Sequence, residues 1–103
     1  MIRPLFFGLI FLTGLNFTAW AAQPSPEVIW QSLNSKAGEY YQQGDYRKAE
    51  ESAKQALNRA EKEFGLESSQ VASSINSLAM IYYAKGSFTD AESLHKRALA
   101  LRE

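Results

Sequence analysis

The chain contains no cysteine and only one histidine, and these two absences exclude much of the chemistry of protein sites. Without cysteine there are no disulfides, thiolate nucleophiles or Cys-ligated zinc and iron–sulfur sites. His95 has no nucleophile and carboxylate spaced around it in a catalytic arrangement. Adjacent acids such as Glu50 and Glu51 point in different directions on a helix, and no glycine-rich phosphate loop is present. We therefore expect no enzyme activity, no metal and no cofactor.

An excess of charge of either sign is also missing. Lysine and arginine number 11, and aspartate and glutamate number 11. A balanced chain has no general attraction for nucleic acid or for an anionic membrane surface, so we expect no nucleic-acid partner. A hydrophobic content of 46% with 21% charged residues is ordinary for a folded domain, and 103 residues allow one small domain.

Only one long hydrophobic run is present, and it lies at the amino terminus. Arg3 precedes the apolar stretch LFFGLIFLTGL, and Ala19 and Ala21 place small residues at the −3 and −1 positions of a cleavage site. This pattern predicts a signal peptide over residues 1–21, cleaved after Ala21, and a periplasmic or secreted protein. The alternative is an uncleaved anchor, but the run is shorter than the roughly 20 residues that a spanning helix needs. After cleavage we expect no stable membrane span.

The rest of the chain, residues 22–103, has the pattern of four amphipathic helices. Ser25 and Pro26 form a helix start, and Asp45 follows the breaker Gly44 as the cap of a second helix. Ser68 or Ser69 caps a third helix, and Gly86 separates it from a fourth. The predicted inward residues of the fourth helix are Phe88, Ala91, Leu94, Ala98 and Leu99.

The second half of this region repeats the first. Gly44 and Gly86 lie 42 residues apart. Along both helices of the first half, further residues are identical to the residue 42 positions later: Ser32, Asn34, Ser35, Ala37, Tyr40, Tyr41, Ala49, Glu50, Lys54, Ala56, Leu57 and Glu61. A single helical hairpin cannot bury its apolar face alone, whereas two stacked copies share a core. The domain therefore consists of repeat 1, about 26–64, and repeat 2, about 68–103.

The second copy, LAMIYYAKGSFTDAESLHKRAL, resembles the tetratricopeptide pattern: a small residue before an aromatic, glycine at the turn, an aromatic two residues later, and alanines in the second helix. The 42-residue spacing is similar to that of kinesin light chains and their bacterial relatives. The resemblance implies an all-α fold in which two tandem helix-turn-helix repeats form a short right-handed solenoid. In one departure, Lys36 stands where the second copy has Leu78, which suggests looser packing of repeat 1.

The resemblance also implies a function, because the first helices of such repeats line a concave groove that receives a peptide. Carried over to this sequence, the best peptide-binding candidates are Asn34, Tyr41, Gln42, Asn76, Met80 and Tyr83. A side-chain amide both donates and accepts, so the asparagines are suited to clamp a peptide backbone, and the tyrosines offer flat contact area. The alternative is that these are ordinary solvated residues kept by duplication.

We thus expect an exported module that binds a protein or peptide whose identity the residues do not specify. One alternative is the amino-terminal part of a longer bacterial protein, with further repeats and a caspase-like peptidase domain. Another is a structural module that self-associates as a homo-oligomer through an uncapped carboxyl-terminal repeat, where Leu94, Leu101 and part of Ala98 are expected to be exposed.

Overall fold

A computed structural model describes residues 23–102, and within this range the chain forms four helices and no strands. The helices are α1, Pro26–Gln42; α2, Tyr46–Phe64; α3, Ser69–Lys85; and α4, Phe88–Arg102. None of the four is long and apolar enough to cross a membrane. The predicted signal peptide lies outside the described residues.

The helices begin where the sequence places capping residues. Ser25, Asp45 and Ser68 each accept a hydrogen bond from the backbone amide three residues on, at 3.3, 3.2 and 3.2 Å. Such side-chain acceptors satisfy amides that have no partner in the first helical turn. Of the two candidates for the third helix, the cap is therefore Ser68.

Two glycines make the turns inside the hairpins possible. Gly44 between α1 and α2 has φ +80°, and Gly86 between α3 and α4 has φ +86°. This left-handed backbone conformation is unfavourable for residues with a Cβ. The two equivalent glycines fold both halves of the chain into antiparallel helix pairs of the same kind.

The core lies between the two hairpins, where α3 packs against α2. On α2 the buried residues are small: Ala49, Ser52, Ala53, Ala56, Leu57 and Ala60. The buried residues of α3 are mostly larger: Val71, Ser74, Ile75, Leu78, Ala79 and Ile81. The small residues of α2 let the bulkier side chains of α3 approach its backbone closely, so the two repeats share one core.

Polar contacts also join the repeats. The Trp30 indole Nε1 donates to the buried Ser74 hydroxyl at 2.7 Å. The Glu50 carboxylate receives Lys54 Nζ at 2.8 Å and Lys85 Nζ, from α3, at 2.5 Å. Hydrogen bonds from these two lysines, Lys54 first, lower the pKa of Glu50 below its ordinary value of 4.5, against the opposing effect of desolvation.

The predictions for α4 were wrong for Phe88, Leu99 and Leu101. For Leu94 and Ala98, which were predicted both inward and exposed, the inward prediction is confirmed. Phe88 and Leu99, expected inside, are 59% and 61% exposed. Leu94 and Leu101, expected to be open, are partly buried and pack against the core cluster, and Ala98 is fully buried. The reason is that α4 packs mainly against α3 and reaches α2 through the ion pair of Arg97 with Glu61 at 2.7 Å, so the side that carries Phe88 and Leu99 is not covered by the described residues.

Candidate peptide-binding groove

The first helices of the two hairpins, α1 and α3, contact each other and border a small open cavity of about 90 Å³. Side chains from both repeats line it: Asn34, Ala37, Gly38, Tyr41, Ser77, Met80 and Ile81. No charged residue is among them. The repeats therefore build this cavity jointly, and it suits a small apolar side chain beside polar atoms from Asn34 and Ser77.

Asn34, which lines this cavity, has an unsatisfied polar group. Its Oδ1 is buried and receives no hydrogen bond from any described residue. A buried acceptor without a donor costs about 1–3 kcal/mol, so such groups are normally paired. Met80, whose flexible side chain is half exposed, lines the same cavity.

A second cavity of about 520 Å³ adjoins the first toward the start of α3. Its lining is more polar: Glu67, Ser68, Ser69, Ala72, Ser73, Asn76, Ser77, Met80, Leu101 and Arg102. Ser77 and Met80 border both cavities, so the two are neighbours. We call the combined depression the groove; it extends along α3 and has Asn34 near one end and Asn76 farther along.

The two tyrosines predicted from the repeat have different surroundings. Tyr41 is half-buried, lines the groove and packs its ring on Tyr46 with centroids 5.5 Å apart. Tyr83 is 65% exposed and packs on Phe88 at 5.1 Å, beside α4 and outside both groove cavities. Gln42, the last residue of α1, is exposed and is also absent from the lining of these cavities.

Of the six predicted site residues, the structure thus brings four to the groove. Asn34, Tyr41 and Met80 line the smaller cavity, and Asn76 joins Met80 in the larger one. Sequence reasoning missed Ser77 and Ile81. Ser77 is one of the residues repeated at the 42-residue shift, which was a usable signal, whereas Ile81 is indistinguishable in sequence from an ordinary core residue.

Two stacked helical hairpins of the same build, with a depression along their first helices, define a helical-repeat protein with a concave face. The sequence profile of the tetratricopeptide repeat family matches residues 31–103, and the chain belongs to this family. Tetratricopeptide repeats are generally protein–protein interaction modules. No curated protein sequence matches the chain. The finer resemblance to kinesin light chains stays a prediction.

Proposed function

We propose that the groove binds an extended peptide segment of a partner protein. The observation that carries this proposal concerns Asn34: its buried Oδ1 has no hydrogen-bond donor among the described residues, and the residue lines a largely apolar cavity shared by both repeats. A peptide backbone supplies N–H donors at regular intervals, so it satisfies this oxygen whatever its side chains are.

The shape of the groove indicates which peptide residues fit. The cavity beside Asn34 is about 90 Å³, which suits a small aliphatic side chain such as that of alanine or valine. The adjoining cavity carries serine hydroxyls and the Asn76 amide, so it suits polar side chains or backbone. We therefore propose a ligand in which a small apolar residue is followed or preceded by polar ones.

Export across a membrane is part of the proposal and is supported only by the sequence of residues 1–21. In an exported protein the ligand is a peptide segment of a periplasmic or extracellular protein. The proposed role is binding, since the groove offers mainly amides, hydroxyls and apolar surface, with Glu67 and Arg102 as the charged residues of its lining.

In the experiment, peptides that bind the mature chain, residues 22–103, are selected from a library of random sequences. Each selected peptide is then titrated against Asn34→Ala and Asn76→Ala, alone and together. A hydrogen bond to a ligand is worth about 1 kcal/mol net, so the double variant is expected to bind about tenfold or more weakly.

Asn58→Ala is the matched control, because Asn58 is an exposed asparagine on α2 and lies outside both groove cavities. Binding to this variant is expected to equal that of the unmodified chain. If the selected peptides bind the Asn34 and Asn76 variants as tightly as the control, the groove is not the binding site.

A further inference from the structure

Residues of α1 and α2 line an open cavity of about 410 Å³ within repeat 1, apart from the groove. Its lining combines apolar residues of α1 with polar and basic residues of α2: Ile29, Leu33, Gln55, Asn58, Arg59 and Lys62. None of these residues lines either groove cavity. We call it the basic cavity, because the two charged residues of its lining are both cations. A ligand bound there is independent of one bound in the groove.

Arg59, which lines the basic cavity, has a hydrogen-bond donor without an acceptor. Its Nε is buried and donates to no described residue. A guanidinium is always charged, and a buried donor on a charged group is more costly to leave unpaired than a neutral one. The Nε–H and a neighbouring Nη–H form a planar fork that matches the two oxygens of a carboxylate. The partner that Arg59 lacks is therefore an anion, and a carboxylate has the right shape.

The charges of the basic cavity are not neutralised by the described part of the chain. Arg59 and Lys62 form no ion pair with any of residues 23–102. Residues 1–25, which precede α1, contain no aspartate or glutamate and so have no side-chain carboxylate to supply. Two cations thus line one cavity without an acid from any of these residues.

Comparison with repeat 2 shows that the repeat pattern does not require this arrangement. At the 42-residue shift Arg59 corresponds to Leu101, which packs against the core cluster. Gln55 corresponds to Arg97, whose Nη2 donates to the Glu61 carboxylate at 2.7 Å. Repeat 2 therefore has a leucine in place of the unpaired guanidinium, and the guanidinium that it does place on this side of the helix is held by a carboxylate.

We propose that the basic cavity binds a small aliphatic carboxylate. The carboxylate accepts two hydrogen bonds from Arg59, Lys62 adds positive charge, and the aliphatic part lies on Ile29 and Leu33, which are both half-buried. Apolar surface beside the cations favours such an amphipathic anion over inorganic phosphate, whose whole surface is polar. The same chemistry is found in a free carboxylic acid and in the carboxyl-terminal leucine of a protein.

The test is a titration of the isotope-labelled mature chain with isocaproate, followed by nitrogen–proton correlation NMR. The Arg59 Nε–H resonance, identified by its absence in Arg59→Lys, is expected to shift because the carboxylate becomes its acceptor. Arg59→Lys keeps the charge but removes the fork, so isocaproate, followed through the backbone amides, is expected to bind about tenfold or more weakly. Lys62→Gln removes an exposed cation and is expected to weaken binding about two- to fivefold.

Ligand controls on the unmodified chain separate charge from shape and do not depend on the folding of a variant. Isocaproamide has the aliphatic part without the charge, acetate has the charge without most of the aliphatic part, and inorganic phosphate has charge alone. Each is expected to bind about tenfold or more weakly than isocaproate. N-acetyl-leucine presents the groups of a protein carboxyl terminus. Tighter binding than isocaproate assigns the site to a protein terminus, and weaker binding assigns it to a free acid.

Arg47→Lys is the matched protein control, because Arg47 is a guanidinium on α2 whose side chain is 89% exposed. This variant is expected to bind isocaproate like the unmodified chain. An Arg59 Nε–H resonance that does not move overturns the proposal. So does binding of isocaproamide, acetate or phosphate as tight as that of isocaproate, or equal weakening by Arg47→Lys and Arg59→Lys.

Discussion

Leu57 and Leu99 form a matched pair that tests how far the stack of helices determines stability. The two leucines are equivalent in the repeat, and each lies on the second helix of its hairpin. They differ in burial: Leu57 is 9% exposed and Leu99 is 61% exposed. The same substitution, leucine to alanine, therefore removes the same atoms from two different environments.

The expected magnitudes follow from the buried fractions. Burial is worth about 0.8 kcal/mol per methylene, and leucine to alanine removes three carbons, so the transfer contribution is about 2.2 kcal/mol at Leu57 and about 0.9 kcal/mol at Leu99. Leu57→Ala also leaves a void between α2 and α3, which raises its total to about 2–4 kcal/mol. The exposed Leu99 leaves no enclosed void.

Urea unfolding of the mature chain, followed by far-ultraviolet circular dichroism, measures both values. The dependence of the free energy of unfolding on urea concentration is compared among the unmodified chain, Leu57→Ala and Leu99→Ala. Equal slopes show that shifts of the unfolding midpoint report changes in stability. The measurement is repeated over a tenfold range of protein concentration, so that any contribution from self-association is visible.

Equal destabilisation by the two substitutions would contradict this reasoning. It would mean either that the exposed side of α4, which carries Leu99, is covered in solution by another molecule or that Leu57 is not buried between α2 and α3. The concentration series distinguishes these results, since only coverage by a second copy makes the Leu99→Ala effect depend on protein concentration.

Further predictions concern single contacts. Trp30→Phe removes the indole donor from the buried Ser74 hydroxyl and is expected to lower the free energy of unfolding by about 1–3 kcal/mol, with a double-mutant cycle against Ser74→Ala as the check that this hydrogen bond is responsible. Gly86→Ala adds a methyl group that meets no atom within 4 Å but forces a residue with a Cβ to φ +86°, so chemical denaturation is expected to show a loss of about 1–2 kcal/mol and no more. Because the pKa of Glu50 is lowered in the folded state, its ion pairs stabilise the protein above its ordinary pKa of 4.5, and this contribution is lost as pH falls through the folded-state pKa. Glu50→Gln is accordingly expected to flatten the decline of stability in urea titrations below about pH 4.5, and an unchanged pH profile would assign the decline to other groups. Intact mass of the exported protein is expected to match a chain that begins at Ala22, whereas retention of residues 1–21 would contradict cleavage.

Most of the fold could be predicted from the sequence because local signals and the repeat agree. Ser25, Asp45 and Gly86 mark helix ends through hydrogen bonding and backbone conformation that depend on a few neighbouring residues. The alanine face of α2 was predictable for the same reason, since helical periodicity alone assigns it inward. The family match over residues 31–103 agrees with the pattern that these residues display.

The parts that could not be predicted depend on which helices are neighbours. Leu57 and Leu99 look identical in sequence, and only the presence of α3 on one side distinguishes them. Similarly, Tyr41 and Tyr83 are repeat equivalents, but Tyr41 lines the cavity between α1 and α3, whereas Tyr83 lines a different cavity beside α4. Predictions made by transferring a position from one repeat to the next are therefore wrong where the neighbouring helices differ, as they do at α4.

The central claim, that the groove of α1 and α3 receives a partner peptide, is tested most directly by site-specific photo-crosslinking in the protein's own compartment. A photoreactive residue replaces Met80, which borders both groove cavities, or Arg47, whose side chain is 89% exposed on α2 outside the groove. The account predicts a discrete adduct from position 80, with its crosslinked residue in a short peptide segment of the partner, and none from position 47. Equal adducts from both positions, or adducts from position 47 alone, would contradict it.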